Sequence, residues 1–394
     1  MKSARTQVPS TRATSCIFFT GPLTGVDLPS TTKFQLATKS PETRGYLCSN
    51  CSGNFGPQLK KAGFDALIVE GRADVWTWLV IQDGRVEFRS AEGMLGMMTN
   101  AAQDAMKDEL GDKKFAAMSI GPAGEKLVRL AYINVDERAF GRGGGGAVMG
   151  SKKLKGIAVK GSGTIPVADA ARVREIWTDA VKNLKETRAN HTKYGTAQYI
   201  SPINELGCMP TRNFQTTHFE HGDKVDHLVL HDHFRAKNYA CFHCSVACGI
   251  VAEVKEGPFK GARARTEFEN IGLLGPNCGI SDFAAIVAAN QLCDDLGIDT
   301  ISGANAVSLV MELYGRGLIT DKDTKGIKAD FGSPQALIGI IELIGKREGI
   351  GDLLAEGMLG VIEKHPEWAA YICHVKGMPY AAYDPRGFYG NALT

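Results

Sequence analysis

The sequence predicts an α+β fold, with a strand-rich first domain followed by an all-helical second domain. Short apolar runs, separated by Gly, Pro and Asn turns, fill the chain up to about residue 163. After Pro166 the apolar residues recur at helical spacing instead, beginning with Val173, Ile176 and Trp177. We therefore expect two domains, residues 1–163 and residues 164–394.

The individual elements follow from the same two periodicities. Expected strands in the first domain are Cys16–Phe19, Ala66–Val69, Trp78–Ile81, Leu127–Val135 and Gly156–Lys160, with one helix at Asn100–Leu110. Expected helices in the second domain are Val173–Leu184, Asp282–Leu296, Ala304–Arg316, Pro334–Lys346 and Leu353–Lys364. Glycine or proline ends several of these helices, as at Gly297 and Pro366.

Composition excludes several classes of protein. The 45 basic and 43 acidic residues nearly balance, so no basic surplus indicates nucleic acid. No apolar run reaches the roughly 20 residues of a membrane helix. Ten cysteines in 394 residues are too sparse for a secreted disulfide scaffold, which favours a reducing, cytoplasmic location. Residues 1–16 are rich in Arg, Ser and Thr, as in a transit peptide, but we favour an irregular start to the chain.

Three cysteines lie within eight residues, in the pattern Cys241-x2-Cys244-x3-Cys248. Such spacing suits three corners of a [4Fe–4S] cluster, which is usually held by four cysteines. Zinc is the main alternative, because His243 lies inside the motif and zinc accepts a Cys₃His set. Typical zinc sites use two separated ligand pairs, however, and no second pair lies at that spacing nearby. We favour the iron–sulfur interpretation over zinc and over reduced structural cysteines.

A second close pair, Cys48 and Cys51, has redox-motif spacing but lacks the strand-then-helix setting of a thioredoxin site, so we favour a structural role. The glycine-rich run Arg138–Gly150 contains Gly-x-Gly-x-x-Gly. The next strand follows too soon to leave much room for the helix of a dinucleotide fold. Two interpretations remain, an anion-binding nest of glycine amides supported by two arginines, or a tight turn between strands.

Two acidic motifs in the second domain have ordinary explanations from spacing alone. Glu267 and Glu269 are two residues apart, which favours a solvated pair over a buried general base. The run from Asp294 to Thr300 reads as a joint between two helices, in which Asp299 or Thr300 caps the second helix.

Taken together, the ordered motifs resemble the tungsten-containing aldehyde ferredoxin oxidoreductase family. The resemblance runs from about Thr20 to Leu393. Besides the glycine run, the cysteine motif and the Asp294 to Asp299 run, the segments that carry it are 21–25, 38–41, 59–65, 119–125 and 384–387.

The resemblance implies a tungsten or molybdenum bis-pterin, a Mg²⁺ ion bridging the pterin phosphates, and one [4Fe–4S] cluster. It implies that Cys241, Cys244 and Cys248 hold the cluster, and that Glu269 is the catalytic general base. The residues implied to bind the pterins are Lys33, Asn50, Arg138, Ala139, Gly141, Arg142, Asp294, Ile298 and Asp299. Lys33 stands where the family often has arginine, which keeps the charge but loses the forked geometry.

The implied activity is oxidation of a small aldehyde to a carboxylic acid, with ferredoxin or another iron–sulfur electron carrier as partner. A homodimer is possible, and neither nucleic acid nor a membrane span is expected. In the family, further pterin and proton-transfer residues and a fourth cluster cysteine follow the segment at Asp384–Gly387, and we expect a labile or incomplete cluster in this chain. The alternatives are an inactive fragment, one piece of a split enzyme, or a zinc-binding structural module.

Overall fold

The computed structural model describes residues 14–393 of the chain. The predicted irregular start, residues 1–16, therefore falls almost wholly outside the described residues. The chain divides into two compact units. The first unit runs up to Ala189 and adds the segments Ala240–Ala247 and Asp295–Ile298, and the second unit holds the rest. The predicted domain boundary after residue 163 stays a prediction, since the first compact unit continues through the next helix.

Two sheets build the first unit. The first has four antiparallel strands in the order β3-β2-β1-β4, namely β1 (Cys16–Thr20), β2 (Phe34–Lys39), β3 (Tyr46–Cys51) and β4 (Ala66–Val69). The second has six strands in the order β6-β5-β10-β7-β8-β9. Its members are β5 (Thr77–Gln82), β6 (Arg85–Ser90), β7 (Ala116–Ser119), β8 (Ile133–Val135), β9 (Arg138–Phe140) and β10 (Leu154–Lys160). β10 runs parallel to β5, and the other neighbours are antiparallel.

Successive side chains of a strand point to opposite faces of the sheet, which explains how the layers of this unit stack. In β5, Leu79 and Ile81 enter a core shared with Phe18 and Phe34 of the first sheet, while Trp78 and Val80 enter a second core. Helix α2 (Thr99–Glu109) covers that second core. The other helices of the first unit are α1 (Phe55–Lys61), α3 (Pro122–Glu125), α4 (Gly145–Ser151) and α5 (Ala170–Thr187).

Helices dominate the second unit. They are α6 (Ala189–Tyr194), α7 (Ile200–Glu205), α8 (His227–Val229), α9 (Phe268–Leu274), α10 (Phe283–Leu296), α11 (Thr300–Gly315), α12 (Pro334–Lys346), α13 (Ile350–Leu354), α14 (Gly357–Lys364) and α15 (Tyr389–Ala392). The first residue of α6 still belongs to the first unit, as do the last two residues of α10. In the described part of the chain no single helix is long and apolar enough to cross a membrane, and only a bent pair, Phe268–Cys278 with Phe283–Leu296, meets that test jointly.

The α+β class is confirmed, but the expectation of an all-helical second part needs a correction. A three-stranded antiparallel sheet of β11 (Arg235–Tyr239), β12 (Gly249–Glu253) and β13 (Arg263–Arg265) flanks the cysteine motif. A short hairpin, β14 (His374–Val375) and β15 (Met378–Pro379), follows later. These strands are two to five residues long, which is too short for a clear period-2 pattern.

Most element predictions hold, with two informative differences. The predicted strand Leu127–Val135 is a strand only from Ile133, because the chain before it forms turns in which the Val128 amide donates to Ala123 and the Ala131 amide donates to Val128. The predicted helix Leu353–Lys364 is interrupted between Leu354 and Gly357, where the glycine has φ 72°, a value that a regular helix does not allow.

Candidate functional site

Two edge strands of the first unit, β3 and β9, lie against each other. Asn50 is an exposed residue of β3, and Arg138 and Ala139 are half-buried in β9. The Phe34 and Phe140 rings meet edge to face, with centroids 4.6 Å apart. Those rings join the start of β2, next to Lys33, to the end of β9, next to Gly141, and β2 pairs there with β3 through Gln35 and Asn50. The structure thus brings the predicted phosphate-binding residues of the first unit into one region.

The glycine run after β9 folds as a turn followed by a short helix. Contrary to the limited room expected from the sequence, the seven-residue helix α4 fits before β10. Gly144 caps it at φ 81°, a conformation that favours glycine. A side chain at Gly146 would overlap the carbonyl oxygen of Tyr132. Part of the run is therefore required by close backbone packing, independently of any ligand.

A carboxylate that the sequence analysis missed reaches into this turn. Glu42 is buried, and its Oε2 accepts a hydrogen bond from the Gly143 amide at 3.1 Å. The Ser40 hydroxyl donates to the Gly143 carbonyl at 2.8 Å. One amide of the expected anion nest is thus already bound by the protein itself. The available signal was the position of Glu42, directly after the family-like segment at residues 38–41.

The predicted pterin contact at Ile298 is attached to the same unit. Ile298 forms an antiparallel bridge with Ala131, and the Tyr132 amide donates to the Gly297 carbonyl at 2.9 Å. The Ala131 carbonyl in turn accepts from the Gly146 amide at 2.9 Å. The backbone of Ile298 is therefore linked through Ala131 to the first turn of α4.

The two aspartates of this motif are already engaged in helix structure within the second unit. Asp299 caps α11, where its carboxylate accepts from the Ile301 and Ser302 amides. Asp294 accepts from the Asn290 side chain at 3.0 Å. Burial, and then the negative charges of both aspartates, raise the pKa of the Cys293 thiol. The capping role expected from spacing is confirmed for Asp299, and the implied pterin contacts stay a prediction.

The first two cysteines of the motif lie between β11 and β12 in the chain but belong to the first unit, where they contact the loop between β1 and β2. The Cys244 amide donates to the Cys241 carbonyl at 3.0 Å, which closes a tight turn. The Cys244 sulfur lies 4.0 Å from the Ser30 hydroxyl, three residues before Lys33. The His243 ring approaches the Asp27 carboxylate at 3.3 Å. The cysteine turn is therefore anchored to the loop that leads into the predicted phosphate-binding region.

The donor chemistry of the motif fits an iron–sulfur cluster, since all ten cysteines are present as thiols and three of them fall in this short segment. Across residues 14–393, no group of three or more His, Cys, Asp or Glu side chains is already gathered closely enough to hold a metal ion. Three cysteines outside the motif are poor ligands, because burial raises the pKa of Cys208, Cys278 and Cys373, the last to about 11.

The close pair in β3 has no redox geometry. Cys48 is exposed and Cys51 is buried, because residues three apart in a strand point to opposite faces. The structural interpretation of this pair therefore agrees with its position.

The two glutamates near the start of α9 have different surroundings, and neither is simply solvated. Glu267 caps α9, pairs with Arg265 at 2.6 Å and accepts from the Thr196 hydroxyl at 2.5 Å. Glu269 accepts a hydrogen bond from the Ala382 amide at 2.8 Å through Oε2. Burial raises the pKa of the Tyr383 hydroxyl, and the Glu269 charge raises it further. Glu267 therefore stabilises the helix, whereas Glu269 presents its carboxylate beside Ala382 and Tyr383.

Comparison with known families accounts for nearly the whole chain. Residues 3–161 match the model of the aldehyde ferredoxin oxidoreductase N-terminal domain, and residues 173–394 match that of domains 2 and 3. The chain belongs to the aldehyde ferredoxin oxidoreductase family. The resemblance expected from the motifs is thereby confirmed.

Curated relatives support this membership. The chain is 42% identical over 384 residues to a tungsten-containing aldehyde ferredoxin oxidoreductase of Pyrococcus abyssi, covering 96% of this chain and 63% of the relative. It is 40% identical to the Pyrococcus furiosus protein of the same name, over 96% of this chain and 62% of the relative. A P. furiosus aliphatic sulfonate oxidoreductase, WOR-like subunit, is 33% identical, over 94% of this chain and 62% of the relative. The chain thus spans a little over three fifths of the length of these relatives.

A solved structure shows the same fold. It is the active site complex BamBC of benzoyl coenzyme A reductase in complex with 1,5-dienoyl-CoA. The TM-score is 0.83 at 23% sequence identity, and the match covers 96% of this chain and 59% of that chain. At this identity the similarity establishes the fold and carries no conclusion about the reaction.

Proposed function

We propose that this chain carries the pterin-binding and cluster-binding part of an oxidoreductase that converts an aldehyde to a carboxylic acid. The observation that carries the proposal is the family match over residues 3–161 and 173–394. The proximity of Asn50 on β3 to the start of β2, after Lys33, and of both strands to β9, where the segment Arg138–Arg142 begins, supports it. Basic and amide side chains are the donors that phosphate groups require.

The residues present suit the cofactors that the family uses. Arg138, Arg142 and Lys33 would bind the pterin phosphates, and the Asn50 side-chain oxygen would accept hydrogen bonds from water molecules around a Mg²⁺ ion. Asp294, Ile298 and Asp299 would contact a pterin ring, the aspartates through lone pairs left over from their helix contacts. When bound, the tungsten or molybdenum bis-pterin supplies the oxygen-atom transfer and accepts two electrons.

Proton balance defines the role of the protein side chains. Oxidation of an aldehyde with water gives a carboxylic acid, two protons and two electrons. Glu269 is the proposed acceptor of a proton from water, since its Oε2 is fixed by the Ala382 amide. The amide hydrogen bond fixes the carboxylate orientation, which supports Glu269 as the general base.

Electrons would leave through a [4Fe–4S] cluster bound by Cys241, Cys244 and Cys248, towards a ferredoxin-type carrier in the cytoplasm. The loop contacts of Cys244 and His243 fix the first part of this motif close to Lys33. A homodimer stays a prediction.

An aldehyde is the preferred substrate class because relatives named for aldehyde oxidation are 40–42% identical to the chain. A sulfonate is the second candidate, since the relative named for that substrate is 33% identical. We expect the two classes to be separated by assaying both with the same protein.

The test is anaerobic purification followed by metal, pterin and activity measurements. We expect tungsten or molybdenum, an oxidisable pterin and iron in the protein, together with aldehyde-dependent reduction of a viologen dye. Arg142→Met removes one proposed phosphate contact and should lower pterin content. Arg172→Met, which removes an exposed arginine paired with the exposed Glu175 on α5, is the matched control. Zinc without iron or pterin would refute the proposal in favour of a zinc-binding module.

A further inference from the structure

We infer that the turn Gly195–Thr196 is a positioning element that seats both the third cysteine of the cluster motif and the helix carrying Glu269. The inference rests on the proposed function, since it assigns the turn to the cluster and to the general base. Neither residue belongs to the motifs that the sequence analysis identified. All the contacts below lie within the second unit.

Gly195 contacts the backbone of Cys248 directly. It adopts φ 61°, and an added Cβ would lie 2.7 Å from the Cys248 carbonyl oxygen and 2.9 Å from Ile250 Cγ1. Real Cβ atoms essentially never approach a backbone oxygen this closely. Any side chain at position 195 must therefore displace either the turn or Cys248, which begins the approach to β12. The absence of a side chain at Gly195 thus allows the backbone position of Cys248, the residue that carries the third thiol.

Thr196, the next residue, holds the start of α9. Its hydroxyl donates to Glu267 Oε2 at 2.5 Å and accepts from the Phe268 amide at 3.0 Å. Glu267 is itself fixed by Arg265 and by the Asn270 side chain. Because Phe268 is the first residue of α9, Thr196 fixes the turn of helix on which Glu269 lies.

A backbone hydrogen bond provides a second connection between the segment after Cys248 and the start of α9. The Thr266 amide donates to the Ile250 carbonyl at 2.9 Å, so β12 is joined to the segment entering α9. Cys248 and Glu269 are therefore connected through two short routes, one by way of Gly195 and Thr196 and one by way of Ile250 and Thr266. A displacement of the cysteine is expected to reach the helix through both.

The first test compares two glycine substitutions of equal backbone strain. Gly207 has φ 65°, but an added Cβ there meets only Thr217 Oγ1, at an ordinary 3.7 Å. We expect Gly195→Ala to lose iron to a chelator about 10-fold more readily than the wild type, with an altered EPR signal of the reduced cluster. Gly207→Ala should retain iron like the wild type, because its cost is conformational strain alone.

The second test separates the hydroxyl from the shape of Thr196. Loading the cluster should slow amide exchange across Phe268–Leu274 in the wild type. Thr196→Val should speed that exchange about 10-fold, because the capping hydrogen bonds are lost. Thr196→Ser should keep amide exchange at the wild-type rate, because serine retains the hydroxyl. Iron content should change little in either Thr196 variant, since Gly195 is intact.

The outcomes are distinguishable. If the wild-type chain bound no iron at the cysteine motif, both the proposed function and this inference would be refuted. A wild type that binds iron, with Gly195→Ala and Gly207→Ala equally able to retain it, overturns the positioning role alone. Equal exchange rates in Thr196→Val and Thr196→Ser would likewise remove Thr196 from the element.

Discussion

Replacing Lys155 by methionine should destabilise the first unit strongly. Lys155 lies in β10 with its side chain fully buried, and its Nζ donates to Glu125 at 2.5 Å and to the Met97 carbonyl at 2.9 Å. Glu125 also accepts from the Gly96 amide at 3.0 Å. Burial lowers the pKa of the Lys155 ammonium, and Glu125 raises it in partial compensation. Glu125 is the last residue of α3, and α4 with the glycine run packs on that helix.

The expected magnitude follows from what each change leaves behind. Lys155→Met removes the cation and leaves the Glu125 carboxylate buried without its charge partner, which costs about 3–5 kcal/mol. The double variant Lys155→Met/Glu125→Leu removes both charges. It still leaves the Gly96 amide and the Met97 carbonyl without partners, so we expect a residual loss of about 2 kcal/mol. The double variant should therefore be more stable than the single one.

Urea unfolding monitored by tryptophan fluorescence is the assay, because Trp78 is buried in β5 opposite Gly156, the neighbour of Lys155. The control is Lys160→Met, which breaks a partly exposed pair with Asp112 and should cost about 0–1 kcal/mol. A single variant no less stable than the Lys160 control would refute the reasoning. The reasoning would also be refuted if the double variant lost as much stability as Lys155→Met and Glu125→Leu, measured separately, lose in total.

Three further predictions concern the site and its helices. Glu269→Gln should abolish aldehyde oxidation while iron and pterin contents stay at wild-type levels, because glutamine can still accept from the Ala382 amide but cannot take a proton as the carboxylate does. Iodoacetamide at pH 8 should label the exposed Cys48 in native protein and leave Cys16 unlabelled, as peptide mass spectrometry would show, because burial raises the pKa of Cys16 to about 12. Asp299→Ala should cost about 1–2 kcal/mol in urea unfolding, comparable to Ser333→Ala at the start of α12, and no loss would contradict the capping role.

Much of the fold was predictable because the signals were local. The helix Pro334–Lys346 has a serine cap, a proline at its first position and a long apolar stripe, so the sequence predicts both of its ends. The start of α11 was placed four residues late, at Ala304, although Asp299 was identified as a candidate cap. The small sheet β11–β13 could not be predicted, since its pairing joins strands that are separated by the cysteine motif and a loop.

The candidate site was predictable where residue chemistry is itself the signal. Thiol spacing and arginines beside glycines mark Cys241–Cys248 and Arg138–Arg142 without any knowledge of the fold. Gly195 and Glu42 were missed because their importance depends on which backbone atoms lie opposite them. Spacing also favoured a solvated Glu267–Glu269 pair, whereas tertiary contacts from Thr196 and Ala382 give the two carboxylates different roles.

The glycine run shows why motif and packing have to be separated before a site is assigned. Gly146 is required because an added Cβ would overlap the Tyr132 carbonyl oxygen, and the Gly143 amide already donates to Glu42. Gly146 would have to be glycine, and the Gly143 amide would be hydrogen-bonded, even if no ligand were bound. Gly141 and the flanking Arg138 and Arg142 are the part of the run that the family resemblance assigns to the pterin phosphates. The phosphate-binding proposal therefore rests on this first part of the run, and substitutions there test it directly.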